Sequence, residues 1–196
     1  MTTLIGIKTN SILESIIVIA DRQLTDDDNG SKGSATKLYQ GEYWIMGDVG
    51  SDDKEVIRFY HVLKGDRRYV SDENPTKRGD RIIEEAIRTE RFMQVDELNA
   101  GLSKKVKGNY REEAHSFVFA LNKPSPSLWL IDQWGNLIPP SDENDIDYIS
   151  LGSGKEEAER YIKNAVSKET VDRENVTTRV GIDTAIEALA EAASLD

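Results

Sequence analysis

The chain has 196 residues and carries Lys+Arg 25 against Asp+Glu 36, a formal net charge of -11. That acidity argues against nucleic-acid binding, which needs a concentrated basic face to neutralise phosphates. With Cys 0, disulfides, zinc-thiolate sites and cysteine nucleophiles are excluded, and with His 2 any histidine-based triad is confined to His61 or His115. Hydrophobic residues are 38% of the chain, enough for one core, and the length predicts one domain over residues 1–196. No apolar run approaches the roughly 20 residues that cross a bilayer, and no basic segment followed by an apolar one opens the chain. A soluble, cytoplasmic protein is expected, whose chemistry runs on hydroxyls, amines, carboxylates or backbone amides.

The first fifty residues predict strands. Leu4 to Ile7 is a short apolar run, and Ile16 to Ala20 is a continuous, mostly β-branched run of the kind covered on both faces. A turn over Asp26 to Gly30 and a Ser/Gly stretch to Ser34 follow, then strands at Lys37-Leu38-Tyr39 and Tyr43 to Met46. Gly47 and Gly50 close this block. From Ser51 the period becomes helical, with Val56, Ile57, Tyr60 and Leu63 on one stripe. After Asn74-Pro75 a second stripe runs through Ile82, Ile83, Ala86 and Ile87 towards Met93, so a helix pair is predicted.

Phe117 to Leu121 and Leu128 to Ile131 are predicted strands, and Gly135-Asn136 is a turn into Leu137-Ile138. The acidic stretch Ser141 to Asp147 reads as a solvated loop before a strand at Tyr148 to Leu151. Gly152-Ser153-Gly154 ends that strand. A second helix pair follows, first through Ala158, Tyr161, Ile162, Ala165 and Val166, then through Ile182, Ala185, Ile186, Leu189 and Ala193. Strands, two helices, strands, two helices predict a layered α+β architecture with stacked sheets covered by a helix pair on each outer face.

The start of the chain carries the most chemistry. Initiator methionine is normally removed before a small residue, so Met1-Thr2 can present Thr2 with a free α-amine beside its hydroxyl. An α-amine with a pKa of about 7.7–8.0 serves as general base for a hydroxyl in the same residue, and this needs neither His nor Cys. Asp21 and Lys37 each stand beside an apolar stretch. A lysine near the nucleophile lowers its pKa, and an aspartate holds and orients that lysine. Gly47, after Trp44-Ile45-Met46, is a candidate to offer a backbone N–H to a developing oxyanion.

Five segments in order carry a family resemblance: Thr2-Thr3-Leu4-Ile5-Gly6-Ile7, Ala20-Asp21-Arg22, Lys37-Leu38-Tyr39, Ile45-Met46-Gly47-Asp48-Val49-Gly50 and Leu151-Gly152-Ser153-Gly154. Together the chain resembles the β-type proteasome subunits and the related bacterial HslV peptidase. The resemblance implies an N-terminal nucleophile hydrolase of the threonine peptidase kind with a four-layer αββα sandwich. On the matching residues it implies Thr2 as nucleophile with its amine as base, Lys37 tuning the pKa, Asp21 orienting Lys37, and the Gly47 amide as oxyanion hole. It further implies Ser153 near the nucleophile's amine, Asp196 as a supporting aspartate and Thr25 on the substrate backbone. Leu24, Ala35, Ile45 and Val49 match a first specificity pocket whose apolar character implies cleavage after apolar side chains.

The sequence departs from the family in several places. Gln23 stands where an arginine is common, and the loops through Ser11 to Ser15 and Asp26 to Ser34 are longer or differently composed. The chain ends at Asp196, at a helix end, where family members continue into two more strands. Either a C-terminal piece follows or the sheets close differently. A retained Met1 would block the amine. Two other functions share the resemblance: an inactive ring-forming structural subunit, and an N-terminal nucleophile amidase or acyltransferase acting on a smaller amide. An acidic binding module without catalysis requires the five-segment order to be coincidence.

The family implies a peptide or unfolded protein substrate and a homo-oligomeric ring, with an unfolding ATPase or a partner ring. No cofactor or metal is expected. His61 and His115 read as structural or surface residues. Asp142, Glu143, Asp145 and Asp147 lack the alternation and central glycine of a calcium loop.

Overall fold

A computed structural model describes residues 3–9, 14–21, 23–25, 32–34, 36–49, 54–69, 74–105, 114–140, 147–167 and 176–194; of 23–25, 32–34, 55, 75, 101–105, 166 and 167 it gives the backbone alone. Strands β1 (Thr3–Lys8), β2 (Ile16–Ala20), β3 (Gln23–Thr25), β4 (Lys32–Ser34), β5 (Leu38–Gln40) and β6 (Trp44–Val49) come first. Helices α1 (Lys54–Leu63), α2 (Pro75–Thr89) and α3 (Met93–Lys105) follow, then β7 (Ser116–Leu121), β8 (Ser127–Ile131), β9 (Leu137–Ile138) and β10 (Tyr148–Gly152). Helices α4 (Lys155–Ser167) and α5 (Thr178–Ala193) end the order. Among the described residues none of these helices is long and apolar enough to cross a membrane.

Every strand pairing is antiparallel. One sheet runs β10-β1-β2, a second β5-β6-β7-β8-β9, and β3-β4 form a separate hairpin. The two larger sheets stack face to face, and each carries helices on its outer face, as the αββα expectation requires. Alternation along β1 shows why both faces of these strands are apolar. Leu4 and Gly6 point to the facing sheet, while Ile5 and Ile7 point to α4 and α5. Ile16 to Ala20 behaves the same way, with Ile17 toward the helices and Ile16, Val18 and Ala20 toward the other sheet.

Three apolar layers result. Phe59 and Tyr60 of α1, Ile83 and Ala86 of α2, Phe92 just before α3 and Val95 in its first turn cover Met46, Phe117 and Phe119 of the five-stranded sheet. Leu4, Val118, Ala120, Leu128 and Ile149 are buried between the sheets. Ile5, Ile7, Ala158, Ile162, Ala185, Ala188 and Ala192 fill the third. Small residues on the inner face of α5 let that helix lie close to β1 and β2; a Cβ on Gly181 would stand 2.9 Å from Ile17 Cδ1.

The structure corrects the predicted elements in two places. The second helical stripe does not run on to Met93: α2 stops at Thr89, Glu90 takes a left-handed conformation with φ 53°, and its N–H caps Ala86 and Ile87. A third helix, α3, then begins at Met93 and was not predicted. Asn74 accepts the Lys77 N–H, with Pro75 in the first turn of α2, in accord with the predicted start. The Ser/Gly stretch also contains a strand, β4, which pairs with β3. The turn expected over Asp26 to Gly30 and most of the acidic loop from Ser141 lie outside the described residues.

Gly47 sits where the two sheets come closest. A Cβ there would stand 2.4 Å from Leu4 Cδ1 and 2.9 Å from Leu38 Cδ2, and Leu4 is fully buried, so it has nowhere to move. Gly47→Ala should therefore destabilise by about 1–3 kcal/mol through overpacking. Denaturant titrations of Gly47→Ala, Leu4→Ala and the double variant should give a combined loss smaller than the sum of the single losses, because the truncated leucine makes room for the new methyl.

Candidate active site at the start of strand β1

The beginning of β1, the end of β2, the residue before β5, the end of β6 and the turn after β10 meet at one end of the sandwich. Antiparallel pairing dictates this. Thr3 pairs with Gly152 on one side, and Leu4 pairs with Ala20 on the other, which brings Asp21 beside Thr3. Asp21 grips that residue twice: its backbone N–H donates to the Thr3 carbonyl at 3.0 Å, and its Oδ2 accepts the Thr3 N–H. Its other carboxylate oxygen, Oδ1, accepts from Lys37 Nζ.

Lys37 reaches Asp21 from the facing sheet, so the ion pair bridges the two layers. The Lys37 side chain is 4% exposed and the Asp21 side chain 20%. A buried ammonium is costly without a partner, and here the partner is the carboxylate of a residue that Thr3 fixes at two points, one on the carboxylate and one on the main chain. Bond geometry carries the cluster one residue further, because the nitrogen that donates to Asp21 is covalently joined to the Thr2 carbonyl carbon. Thr2 itself lies outside the described residues, as do Asp196 and Ala35.

The remaining predicted site residues divide. Ser153 follows Gly152, the register partner of Thr3, and is exposed in the turn that Gly152 enters with φ 96°. Leu24 and Thr25 lie on β3, opposite Gly33 and Lys32, in a hairpin whose base pair is Gln23 and Ser34. That hairpin leaves the sandwich two residues after Asp21 and returns three before Lys37, so it stands at the site; the side chains of Leu24 and Thr25 lie outside the described residues. Val49 ends β6 at the same end of the sandwich.

Gly47 and Ile45 are placed differently from expectation. The Asp48 N–H donates to the carbonyl of Lys37, just before β5, at 3.0 Å, so antiparallel alternation turns the Gly47 N–H to Val118 on β7. The Gly47 amide is thus directed into the sheet ladder and its missing side chain makes room for Leu4, which corrects its oxyanion reading. Ile45 lies four residues back from Val49, about 13 Å along the strand. It lines a cavity of about 290 Å³ at the opposite end, with Ile16, Tyr43, Trp44 and Asn122, which corrects its assignment to a pocket beside the nucleophile.

The sequence reading also missed a buried polar group behind β6. His115 is 1% exposed, with Nδ1 2.9 Å from Asp48 Oδ1, so it is a core residue. The signal was present: Asp48 is a charge inside the otherwise apolar run Trp44 to Val49. His61 contacts Asp66 at 3.0 Å and stacks on Tyr69, in keeping with its structural reading.

No family model matches the sequence, and no curated protein matches it. Solved structures match it in fold. The eukaryotic HslV of Trypanosoma brucei aligns over 99% of this chain and 91% of its own, with TM-score 0.59 and 18% identity. A Gly-1 mutant of Anbu from Hyphomicrobium sp. strain MC1 aligns over 99% and 75%, with TM-score 0.63 and 13% identity. The Anbu complex of Pseudomonas aeruginosa, a helical assembly, aligns over 98% and 76% with the same TM-score and identity. The chain therefore has the proteasome-like N-terminal nucleophile hydrolase fold of HslV and Anbu.

The Asp21–Lys37 pair gives a stability prediction independent of activity. Asp21→Ala should cost about 3 kcal/mol, because it leaves the Lys37 ammonium buried and uncompensated. Adding Lys37→Met should recover part of that loss. Chemical denaturation of the two variants checks this, and a double variant less stable than Asp21→Ala would contradict it.

Proposed function

We propose that this chain is a threonine peptidase of the N-terminal nucleophile kind, active after removal of Met1. The observation that carries the reading is the Thr3 N–H, Asp21 and Lys37 cluster at the start of β1, joined covalently to Thr2. Thr2 Oγ1 attacks the scissile carbonyl while the Thr2 α-amine takes its proton. The tetrahedral intermediate then expels the amine product, which leaves with that proton, and an acyl ester remains on Thr2. Water, deprotonated by the same amine, hydrolyses the ester and restores the hydroxyl.

Lys37 serves this sequence electrostatically. A cation beside the α-amine disfavours its protonation, so more of the base is free near neutral pH, and the same charge stabilises the developing alkoxide. Asp21 keeps Lys37 in place and fixes the Thr3 peptide that Thr2 hangs from. Ser153 stands opposite the start of β1 as a partner for the amine, with Asp196 as further support. With the Gly47 amide turned into the sheet, the oxyanion donor is assigned to the segment after β6, where Gly50 lies.

The substrate is a peptide or unfolded protein chain. The β3–β4 hairpin, through Thr25, holds its backbone, and Leu24, Ala35 and Val49 favour an apolar residue before the cut. The chain works as a homo-oligomer, as the fold it shares with the Anbu assembly suggests, with a partner ring or unfolding ATPase controlling entry. The protein acts in the cytoplasm, as one domain.

Intact-mass measurement before and after incubation with a peptide epoxyketone tests the reading, since that reagent couples to a hydroxyl and an α-amine on one residue. The expected result is loss of one methionine followed by addition of one inhibitor, abolished in Thr2→Ala. Lys37→Ala should slow the adduct by about 100-fold or more, the scale of lost proton-transfer catalysis. Loss of Met1 without any adduct would favour an inactive structural subunit.

A further inference from the structure

Asp48 interrupts the apolar pattern of β6. Alternation places Trp44, Met46 and Asp48 on the helix-facing side of that strand, where Asp48 is 8% exposed. A carboxylate persists there only with partners, and the His115 ring supplies one. The His115 main chain is held from behind. The His115 N–H donates to Asn99 Oδ1 at 2.8 Å, and Asn99 Nδ2 donates back to the His115 carbonyl at 3.0 Å and to the Gln133 carbonyl at 2.9 Å. One buried amide on α3 thus fixes both the approach to β7 and the β8–β9 turn.

The main chain of Asp48 faces the site. Its N–H donates to the Lys37 carbonyl, and β5 is a three-residue edge strand, so this bond is the ladder rung nearest the Lys37 side chain. Lys37 in turn holds Asp21, and Asp21 holds Thr3. A continuous set of bonds therefore runs from Asn99 through His115, Asp48, Lys37 and Asp21 to the start of β1. Tyr60 of α1 braces the same region. Its ring stacks on Tyr39 of β5 with centroids 3.7 Å apart. Its buried hydroxyl has no hydrogen-bond partner among the described residues. Burial, and then the Asp48 charge, push its pKa well up, so it stays a neutral phenol beside the carboxylate.

We propose that the buried Asp48–His115 pair, clamped by Asn99, is a positioning unit that sets the Lys37–Asp21 pair from the helical layer behind it. Its kinetic consequence rests on the peptidase reading; its effect on Lys37 does not. Asp48 and His115 touch no reacting atom, and they act by fixing where the Lys37 backbone lies. A displacement of about 1 Å at a catalytic group can cost on the order of 100-fold in rate.

The test compares Asp48→Ala and His115→Ala with Asp48→Asn and His115→Asn, which keep a hydrogen-bonding group at the same point. Two readouts are taken: kcat and KM on a fluorogenic peptide, and the ε-methylene NMR signal of Lys37 in protein labelled with ¹³C-lysine, assigned with Lys37→Arg. Both alanine variants should move the Lys37 signal and lower kcat by about 10- to 100-fold with KM within about twofold. The asparagine variants should restore both readouts most of the way. An unmoved Lys37 signal in the alanine variants overturns the proposal. A wild-type protein without hydrolysis sinks the peptidase reading instead, and the NMR comparison still decides this one. Should the alanine variants fail to fold, Asn99→Ser decides, since it loosens the clamp without touching β6: it must move the Lys37 signal, and no movement overturns the proposal.

Discussion

The Asp21 carboxylate is the constraint on which this end of the sandwich depends. One oxygen takes the Thr3 N–H, the other takes the Lys37 ammonium, and the Asp21 N–H closes onto the Thr3 carbonyl. Thr3 belongs to the three-stranded sheet and Lys37 to the approach to the five-stranded one, so a single side chain ties the two layers together. Between the sheets the described residues also bury an apolar, non-directional layer of Leu4, Val118, Leu128 and their neighbours. Apolar packing sets how close the sheets come. The carboxylate sets where the first residue of β1 stands relative to a buried cation.

That closeness has its own requirement. Gly6 and Gly47 face across the interface, and a Cβ on either would meet side chains of the other sheet at 2.9 Å or less. The glycine of the sequence motif is thus explained by packing before any catalytic role is considered. The same strand then carries two jobs on alternate faces. Its inner face admits Leu4, while its outer face buries Asp48 against His115. Period-two alternation lets one six-residue strand do both without conflict.

Much of the fold was legible because buried strands and amphipathic helices write different periods. Leu4 to Ile7, Phe117 to Leu121 and the stripe Val56, Tyr60 and Leu63 each show their element directly. The α2–α3 boundary was not legible, because it rests on Glu90 adopting a left-handed conformation that glycine or asparagine would normally announce. The β3–β4 hairpin was hidden for a related reason: Lys32-Gly33-Ser34 has no apolar alternation, and its pairing comes from the chain returning past Gln23. At the site, Asp21 and Lys37 were found by residue type and order. The directions of the Gly47 amide and the Ile45 side chain were not, because strand register decides them and a one-residue shift reverses every assignment. His115 was read as bland because its partner lies 67 positions away in sequence.

A fold shared at 13–18% identity with HslV and Anbu does not by itself decide whether this chain cuts anything. The energetics of the site bear on that question. Buried ion pairs contribute little net stability, and apolar residues of similar size often serve a core as well or better. This sandwich nevertheless buries the Lys37–Asp21 ion pair and, behind the adjoining strand, hydrogen-bonds the Asp48 carboxylate to the buried His115 ring. The two pairs lie on successive segments joined by the Asp48 to Lys37 backbone bond, at the end of the fold where β1 begins. In the proposed peptidase a fixed cation beside the Thr2 amine favours its unprotonated form, and such a cation is held by a carboxylate and a rigid main chain behind it. On the proposed peptidase reading, each polar group on the path from Asn99 to Thr3 has a positioning role that apolar packing does not provide.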